Sequence, residues 1–395
     1  MSKKVLITGI LGQDGANMAE FLLTLPGEVE VYGVMRRASN PNFINCQKFK
    51  AHPRFKFVFG DLTDEVSLNN LVRDIQPDYF INFGANSFVG ISWDMPLQVF
   101  DTNALGVIRG LEAIRKFKPN CRYYSAGSSE EWGNVDYSPQ DIKHPIKPRS
   151  PYGASKAAAR NMVKVYRESY NMYAIHGILL NHEGTKRGGE FVTRKISKGV
   201  ARINSSIKNG QKFDPIELGN LNAQRDWSDS EDFVEGVWLM LNQENFNGHL
   251  QSELEDAEFH YIHDGQNTRS ETWRTSFLSE KIKEYVLSSN ETHSIREFVE
   301  KAFLAAGIEG FWQGEGESQK YFLADQIHKE FPSMDGCLVK VNPKFYRPAE
   351  VDLLLGDSTP IRQELGWKPK ISFDNLVKKM VYFDIENFNQ ADSAF

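Results

Sequence analysis

Tyr152-Gly153-Ala154-Ser155-Lys156 places a phenol and an ammonium four residues apart, which on a helix means one face and one turn. Of the fourteen tyrosines only Tyr152 has lysine at that spacing, although about one such pair is expected by chance in a chain of this composition. Its setting adds weight: Ser150-Pro151 reads as an N-cap and a first-turn proline, so a helix is expected to open there. A neighbouring ammonium stabilises phenolate and lowers the phenol's pKa, which a proton-abstracting tyrosine requires. The alternative is a surface aromatic beside a solvated lysine. Upstream, Ser128 and Glu130 stand in Ser125-Ala126-Gly127-Ser128-Ser129-Glu130-Glu131, directly after an apolar run. A serine there can hold a substrate hydroxyl while the tyrosine takes its proton, and the carboxylate supplies a further acid or base. Plain turn and cap roles are the competing explanation.

A second constellation lies near the N-terminus. Gly9-Ile10-Leu11-Gly12-Gln13-Asp14-Gly15 separates the first apolar strand from a segment of helical period. Strand, glycine turn and helix N-terminus together present backbone N–H groups and a positive dipole end to a pyrophosphate. The spacing is G-x-x-G-x-x-G, a departure from the usual dinucleotide pattern, so position along the chain carries more weight than the glycines alone. At the end of the second strand, where NAD enzymes usually place a carboxylate, stands Met35-Arg36-Arg37. Two guanidiniums suit a 2′-phosphate, and NADP is therefore the expected cofactor; a solvated loop or a subunit contact is the other use for them. Asp61 in Gly60-Asp61-Leu62 either accepts from an adenine amino group or caps the following helix.

These residues need a scaffold. Short apolar runs at Val5 to Thr8, Val29 to Met35, Phe55 to Phe59, Tyr79 to Phe83, Arg122 to Ala126 and Ala174 to Leu180 alternate with helical stripes. Met18, Phe21 and Leu22, then Leu68, Leu71, Val72 and Ile75, then Val107, Leu111 and Ile114 are such stripes. The pattern predicts an α/β fold, a doubly wound (Rossmann) parallel sheet with a smaller mixed α/β C-terminal domain. Residues 1–184 are expected to form the dinucleotide domain, with about 220–246 returning to it, and 185–395 mainly the substrate domain. The polar, patternless stretch at about 247–281 reads as an insertion.

Composition narrows the function. The 395 residues are 41% hydrophobic and 25% charged, enough for one large or two smaller cores. A net charge of −6 gives no general attraction to nucleic acid or anionic membranes. No apolar run reaches the roughly 20 residues that span a bilayer, and no signal-peptide pattern is seen, so the chain reads as cytoplasmic. Cys46, Cys121 and Cys337 are widely spaced and odd in number, which fits ordinary thiols and neither a disulfide framework nor a metal site.

Taken with Ile7-Thr8-Gly9, Gly60-Asp61-Leu62-Thr63-Asp64, Pro148-Arg149-Ser150-Pro151-Tyr152, Asn181-His182-Glu183, Phe191-Val192-Thr193-Arg194-Lys195, Arg225-Asp226-Trp227 and Tyr346-Arg347-Pro348-Ala349-Glu350, the chain resembles the extended short-chain dehydrogenase/reductase family, in particular its GDP-sugar 4,6-dehydratases. The resemblance implies a redox-neutral NADP-dependent dehydration of a GDP-hexose, with GDP-mannose as the expected substrate. In it Tyr152, with Lys156 and Ser128, removes the C4 hydroxyl proton as hydride leaves C4. Glu130 then takes the C5 proton and helps expel the C6 hydroxyl as water, and the hydride returns to C6. The resemblance further implies cofactor contacts from Gly9, Gly12, Gln13, Asp14, Gly15, Arg36, Arg37, Asp61, Leu62, Tyr152, Lys156 and Arg187. Substrate contacts are implied for Ser87, Ser129, Asn181, Val192, Lys195, Arg225, Arg347 and Glu350. A homodimer or homotetramer is expected. Departures from the family pattern are Ser128 for threonine, Trp132 for tyrosine, Phe88 for histidine, and Gly189-Glu190 for Glu-Thr. A modified GDP-sugar (N-acetylhexosamine or heptose) and an epimerase or reductase on the same scaffold remain alternatives.

Overall fold

A computed structural model describes residues 2–27, 29–243, 281–324, 336–346, 351 and 353–391. Its central sheet contains β1 (Lys3–Thr8), β2 (Val29–Met35), β3 (Phe55–Phe59), β4 (Tyr79–Asn82), β5 (Arg122–Ala126), β6 (Ala174–Leu179) and β7 (Val286–Leu287), all parallel to their neighbours. The order is β7-β6-β5-β4-β1-β2-β3. From β1 the chain winds outward to β3, returns to β4 beside β1, and winds the other way. The strand order therefore reverses between β1 and β4, where a crevice opens beyond the strands' carboxyl ends.

Alternation explains why these runs are strands. Val5 and Ile7 join one fully buried cluster with Met18, Leu22, Val31, Phe233 and Val237, while Leu6 joins another with Val72, Phe80, Leu111, Ile114 and Val163. A sheet covered on both faces needs apolar residues at both parities. Each fully buried Leu, Ile or Val contributes about 1.5–3 kcal/mol. The covering helices are α1 (Gln13–Thr24), α2 (Glu65–Ile75), α3 (Gly106–Phe117), α4 (Pro151–Tyr170) and α5 (Ser230–Leu241). α4 starts as its sequence predicts: the Ser150 hydroxyl accepts the Gly153 N–H at 3.0 Å and Pro151 occupies the first turn.

Six of the strands lie where the apolar runs placed them. The seventh, β7, was not expected; it is two residues long and too short to show a period. α5 also returns to the sheet, burying Phe233, Val237 and Met240 against it. A second core gathers the helices Val192–Lys208, Ile295–Ala305 and Phe373–Ala391 around a four-stranded sheet made of Gly310–Gln313, Lys320–Leu323, Cys337–Val341 and Ile216–Leu218. The expected insertion at about 247–281 lies, except for Lys281, outside the described residues. Cys46, Cys121 and Cys337 are buried free thiols.

Candidate active site

The sheet's switch point opens into one cavity of about 2030 Å³, running from the Gly9 turn to Phe345 and Tyr346. At the end beside β1 Gly9 has φ 71°, and a Cβ there would sit 2.8 Å from the Gly84 nitrogen. A Cβ on Gly15 would lie 2.4 Å from the Gly9 carbonyl oxygen. Only glycine permits this packing of turn against helix. Gly12 is the N-cap of α1 and supplies no side-chain bond, so the first-turn amides keep their donor capacity for a ligand.

Asp14 and Gln13 line the same cradle. Burial alone would raise the Asp14 carboxyl, but His182 at 3.0 Å and the nearby Arg187 outweigh it and hold the group at about 2. His182 faces acceptors on both ring nitrogens, the Leu180 carbonyl at 2.7 Å and Asp14, and stacks on Phe233 at 4.8 Å. Burial disfavours its charge, yet Asp14 and the carbonyl prevail and its pKa rises. Both ring nitrogens can be satisfied together only in the imidazolium form. Asp14 and His182 are 168 residues apart, and no spacing rule pointed to the pair.

At the end of β2, Arg36 is exposed and lines the cavity, whereas Arg37 donates to the Ala38 carbonyl at 2.8 Å and lies outside the lining. Asp61 and Leu62 also line it. Of the two uses considered for Asp61, capping α2 falls to Asp64, whose side chain accepts the Val66 N–H. One Asp61 oxygen instead accepts the Thr63 N–H and hydroxyl, each at 2.9 Å. Arg187 lines the cavity, lies over the Phe191 ring at 3.5 Å and is 3.1 Å from the Glu183 carboxylate.

Ser128, Glu130, Tyr152 and Lys156 face the same space. Ser128 follows β5 and caps a single 3₁₀ turn, accepting the Glu130 N–H at 3.2 Å, so its turn role and its position in the site coexist. The Ser128 hydroxyl also works to lower the pKa of the Tyr152 phenol, with which it shares the cavity. Lys156 lies 5.9 Å from the centre of the Tyr152 ring and donates to the Ala126 carbonyl at 2.7 Å. The expected lowering of the phenol is not found: burial raises Tyr152, and although the Ser128 hydroxyl opposes this, the Glu130 and Glu131 carboxylates add to the rise. Burial brings Lys156 down to about 8 although Glu131 and Asp14 oppose the shift. The lysine is directed at a backbone oxygen, so its charge does not offset the phenol's desolvation.

The far end of the cavity is assembled from separate segments. Ser87, Ser129, Asn181, Val192, Lys195 and Arg225 all line it. Asn181 has a buried Oδ1 without a hydrogen-bond partner, a site that a donor on a ligand would satisfy. Lys195 sits 3.5 Å from the centre of the Phe345 ring, and burial lowers its pKa. Arg225 is buried and donates to the Gln224 carbonyl. Phe88, exposed at 40%, meets Phe191 edge-on at 5.9 Å. From sequence no site role falls to Phe191 or Phe345, because an aromatic under a cation is recognisable only in three dimensions. Arg347 and Glu350 lie outside the described residues.

A doubly wound sheet with a glycine cradle at its switch point and a Ser-Tyr-Lys group beyond β5 defines an extended short-chain dehydrogenase/reductase. The family model described as GDP-mannose 4,6 dehydratase matches residues 6–272 and 271–380. A GDP-mannose 4,6 dehydratase of Drosophila melanogaster is 38% identical over 393 residues, covering 97% of this chain and 86% of its own. The chain belongs to the GDP-mannose 4,6-dehydratase family and is a hydro-lyase. Solved structures share the fold: DesIV, a dTDP-glucose 4,6-dehydratase from Streptomyces venezuelae with NAD and TYD bound, gives a TM-score of 0.71 at 20% identity over 98% of this chain and 99% of its own. RMD from Pseudomonas aeruginosa complexed with NADPH gives 0.68 at 16% identity, over 98% of this chain and 100% of its own. Among the described residues no helix is long and apolar enough to cross a membrane.

Proposed function

We propose that the protein converts GDP-mannose to GDP-4-keto-6-deoxymannose, with NADP as its cofactor. The observation that carries the reading is that Ser128, Glu130, Tyr152 and Lys156 share one cavity with the glycine cradle. The cradle suits a nicotinamide dinucleotide: the α1 amides and the space that only glycine leaves at Gly9 and Gly15 fit a pyrophosphate, and Arg36 fits a 2′-phosphate. When bound, that group would accept hydride from C4 and return it to C6, leaving the overall reaction redox-neutral.

The chain's own residues do the rest. Tyr152 takes the C4 hydroxyl proton while Ser128 holds the oxygen, and Lys156 stands one turn further along α4 with its ammonium on the Ala126 carbonyl. Once C4 is a carbonyl, the C5 proton is acidic; Glu130 removes it and passes it to the departing C6 hydroxyl, which leaves as water, and the proton taken up by Tyr152 returns to C5 as C6 is reduced. Lys195 and Arg225 suit the diphosphate, and the unpartnered Asn181 Oδ1 a donating sugar hydroxyl. Arg347 and Glu350 are assigned to the nucleotide on resemblance alone.

Incubation with GDP-mannose and weighing of the product tests this: loss of one water supports it, and an unchanged mass would favour an epimerase, which has no use for Glu130. A GDP-linked N-acetylhexosamine or heptose is the second reading, favoured by the exposed aromatic Phe88 at the cavity wall. Turnover of such a sugar with none of GDP-mannose would select it. We read the enzyme as a cytoplasmic homodimer or homotetramer; sedimentation at micromolar concentration showing only monomer would refute the assembly.

A further inference from the structure

Beneath the catalytic turn lies an acid–imidazole pair that the reaction above leaves unused. The side chains of Glu131 and His176 are both fully shielded from solvent, with His176 Nε2 2.8 Å from Glu131 Oε1. The same carboxylate oxygen accepts the backbone N–H of Ser128 at 2.8 Å. On the other side of the ring, His176 Nδ1 is 3.2 Å from the Ser125 hydroxyl. One tautomer satisfies this whole chain: Ser125 donates to Nδ1, Nε2–H donates to Glu131, and Glu131 accepts from Ser128.

The arrangement spans two strands. Ser125 on β5 is in register with His176 on β6, and Gly127 leaves room for the ring, since a Cβ there would fall 2.4 Å from His176 Nε2. Burial works against the Glu131 charge, but His176, Arg160 and the Ser128 amide bring its pKa below the usual carboxylate value. Its other oxygen, Oε2, is buried without a hydrogen-bond partner. A surface capping box satisfies a turn without burying a carboxylate and without recruiting a histidine from the next strand. What this costly arrangement does hold is Ser128, whose backbone N–H donates to Glu131, whose hydroxyl accepts the Glu130 amide and which lines the cavity with Tyr152.

We propose that His176, acting through Glu131, is a positioning element that fixes Ser128 and the Glu130 turn against Tyr152 for the dehydration. The inference rests on Ser128 and Glu130 acting as described under the proposed function. Four variants test it: His176→Leu and Glu131→Met remove the link, while His176→Gln and Glu131→Gln keep a donor or an acceptor in place. For each, kcat and KM for the GDP-sugar, dinucleotide affinity and the melting curve are measured.

The expected result is a loss of kcat of about tenfold or more in both apolar variants, since small misplacements of reacting groups are costly. KM and dinucleotide affinity should stay within about twofold, and the glutamine variants should restore most of kcat. If one apolar variant fails to fold, the pair at the other position decides; if both fail, folded glutamine variants that have lost kcat overturn the proposal and ones that retain it support it. Equal kcat in the apolar and glutamine variants, or a KM that rises in step with the fall in kcat, overturns it. A wild-type enzyme that releases no water from any GDP-sugar would instead refute the proposed function.

Discussion

The two ends of the cavity are built differently. The end proposed to hold the dinucleotide is made largely from consecutive residues: the Gly9–Gly15 turn, the N-terminus of α1 and the tip of β2. Its shape comes from backbone, with glycines at positions where a Cβ would collide at 2.4–2.8 Å. The far end, proposed to take the sugar nucleotide, draws single side chains from segments as distant as Ser87, Asn181, Lys195 and Arg225, with the aromatic rings of Phe191 and Phe345 under nearby cations. A backbone cradle tolerates few substitutions but accepts any ligand with the right phosphate geometry. A side-chain wall can be redrawn one residue at a time, so a change of specificity is easier to build there than in the cradle.

Glu130, between the two ends, offers the largest contrast. Glu130→Gln should bind dinucleotide and GDP-sugar normally but lose about 10³-fold in water release, within the range for a lost acid–base group. Dehydration near the wild-type rate would remove Glu130 from the chemistry. Next comes the cradle itself. Gly15→Ala places a methyl against the Gly9 carbonyl, and overpacking of about 1–3 kcal/mol should weaken dinucleotide affinity about tenfold to a hundredfold, leaving GDP-sugar affinity nearly unchanged. If both ligands weaken equally, the ends are not independent.

The third test is pH. Lys156 has its pKa brought down to about 8 by burial, so the ammonium is lost above that value and kcat/KM should fall about tenfold per pH unit. Stability should move the other way. Between about 8 and 10.5 the unfolded lysine binds a proton that the folded one does not, so unfolding free energy rises with pH across that window. An alkaline activity loss that tracks a falling melting temperature would defeat this assignment. The smallest effect is expected at the β2 tip: Arg36→Ala should reduce the preference for NADP over NAD by about tenfold, the worth of one charge-assisted contact. An unchanged ratio in titrations would assign Arg36 to the loop.

Much of this was legible in the chain, for identifiable reasons. β1 to β6 show as runs of apolar residues because both sheet faces are covered, and Ser150-Pro151 announces α4 because cap chemistry is local. β7 escaped because two residues have no period. The Tyr152–Lys156 spacing was correct as helix geometry, but the expected effect on the phenol was not, since the lysine points at Ala126 and burial dominates. Asp64 caps α2, so of the two uses weighed for Asp61 from sequence the helix cap is not the one found.

By itself the sequence determined whatever depends on neighbours along the chain: strand and helix periods, the glycine turn, the capped start of α4. Those are short-range effects, encoded by residue type and spacing. Only the tertiary structure decided which distant groups share a desolvated space. It paired Asp14 with His182, set Glu131 and His176 beneath Ser128, and seated Lys195 on Phe345. Charge and proton affinity are set by burial and through-space partners, and neither is written in the local order of residues.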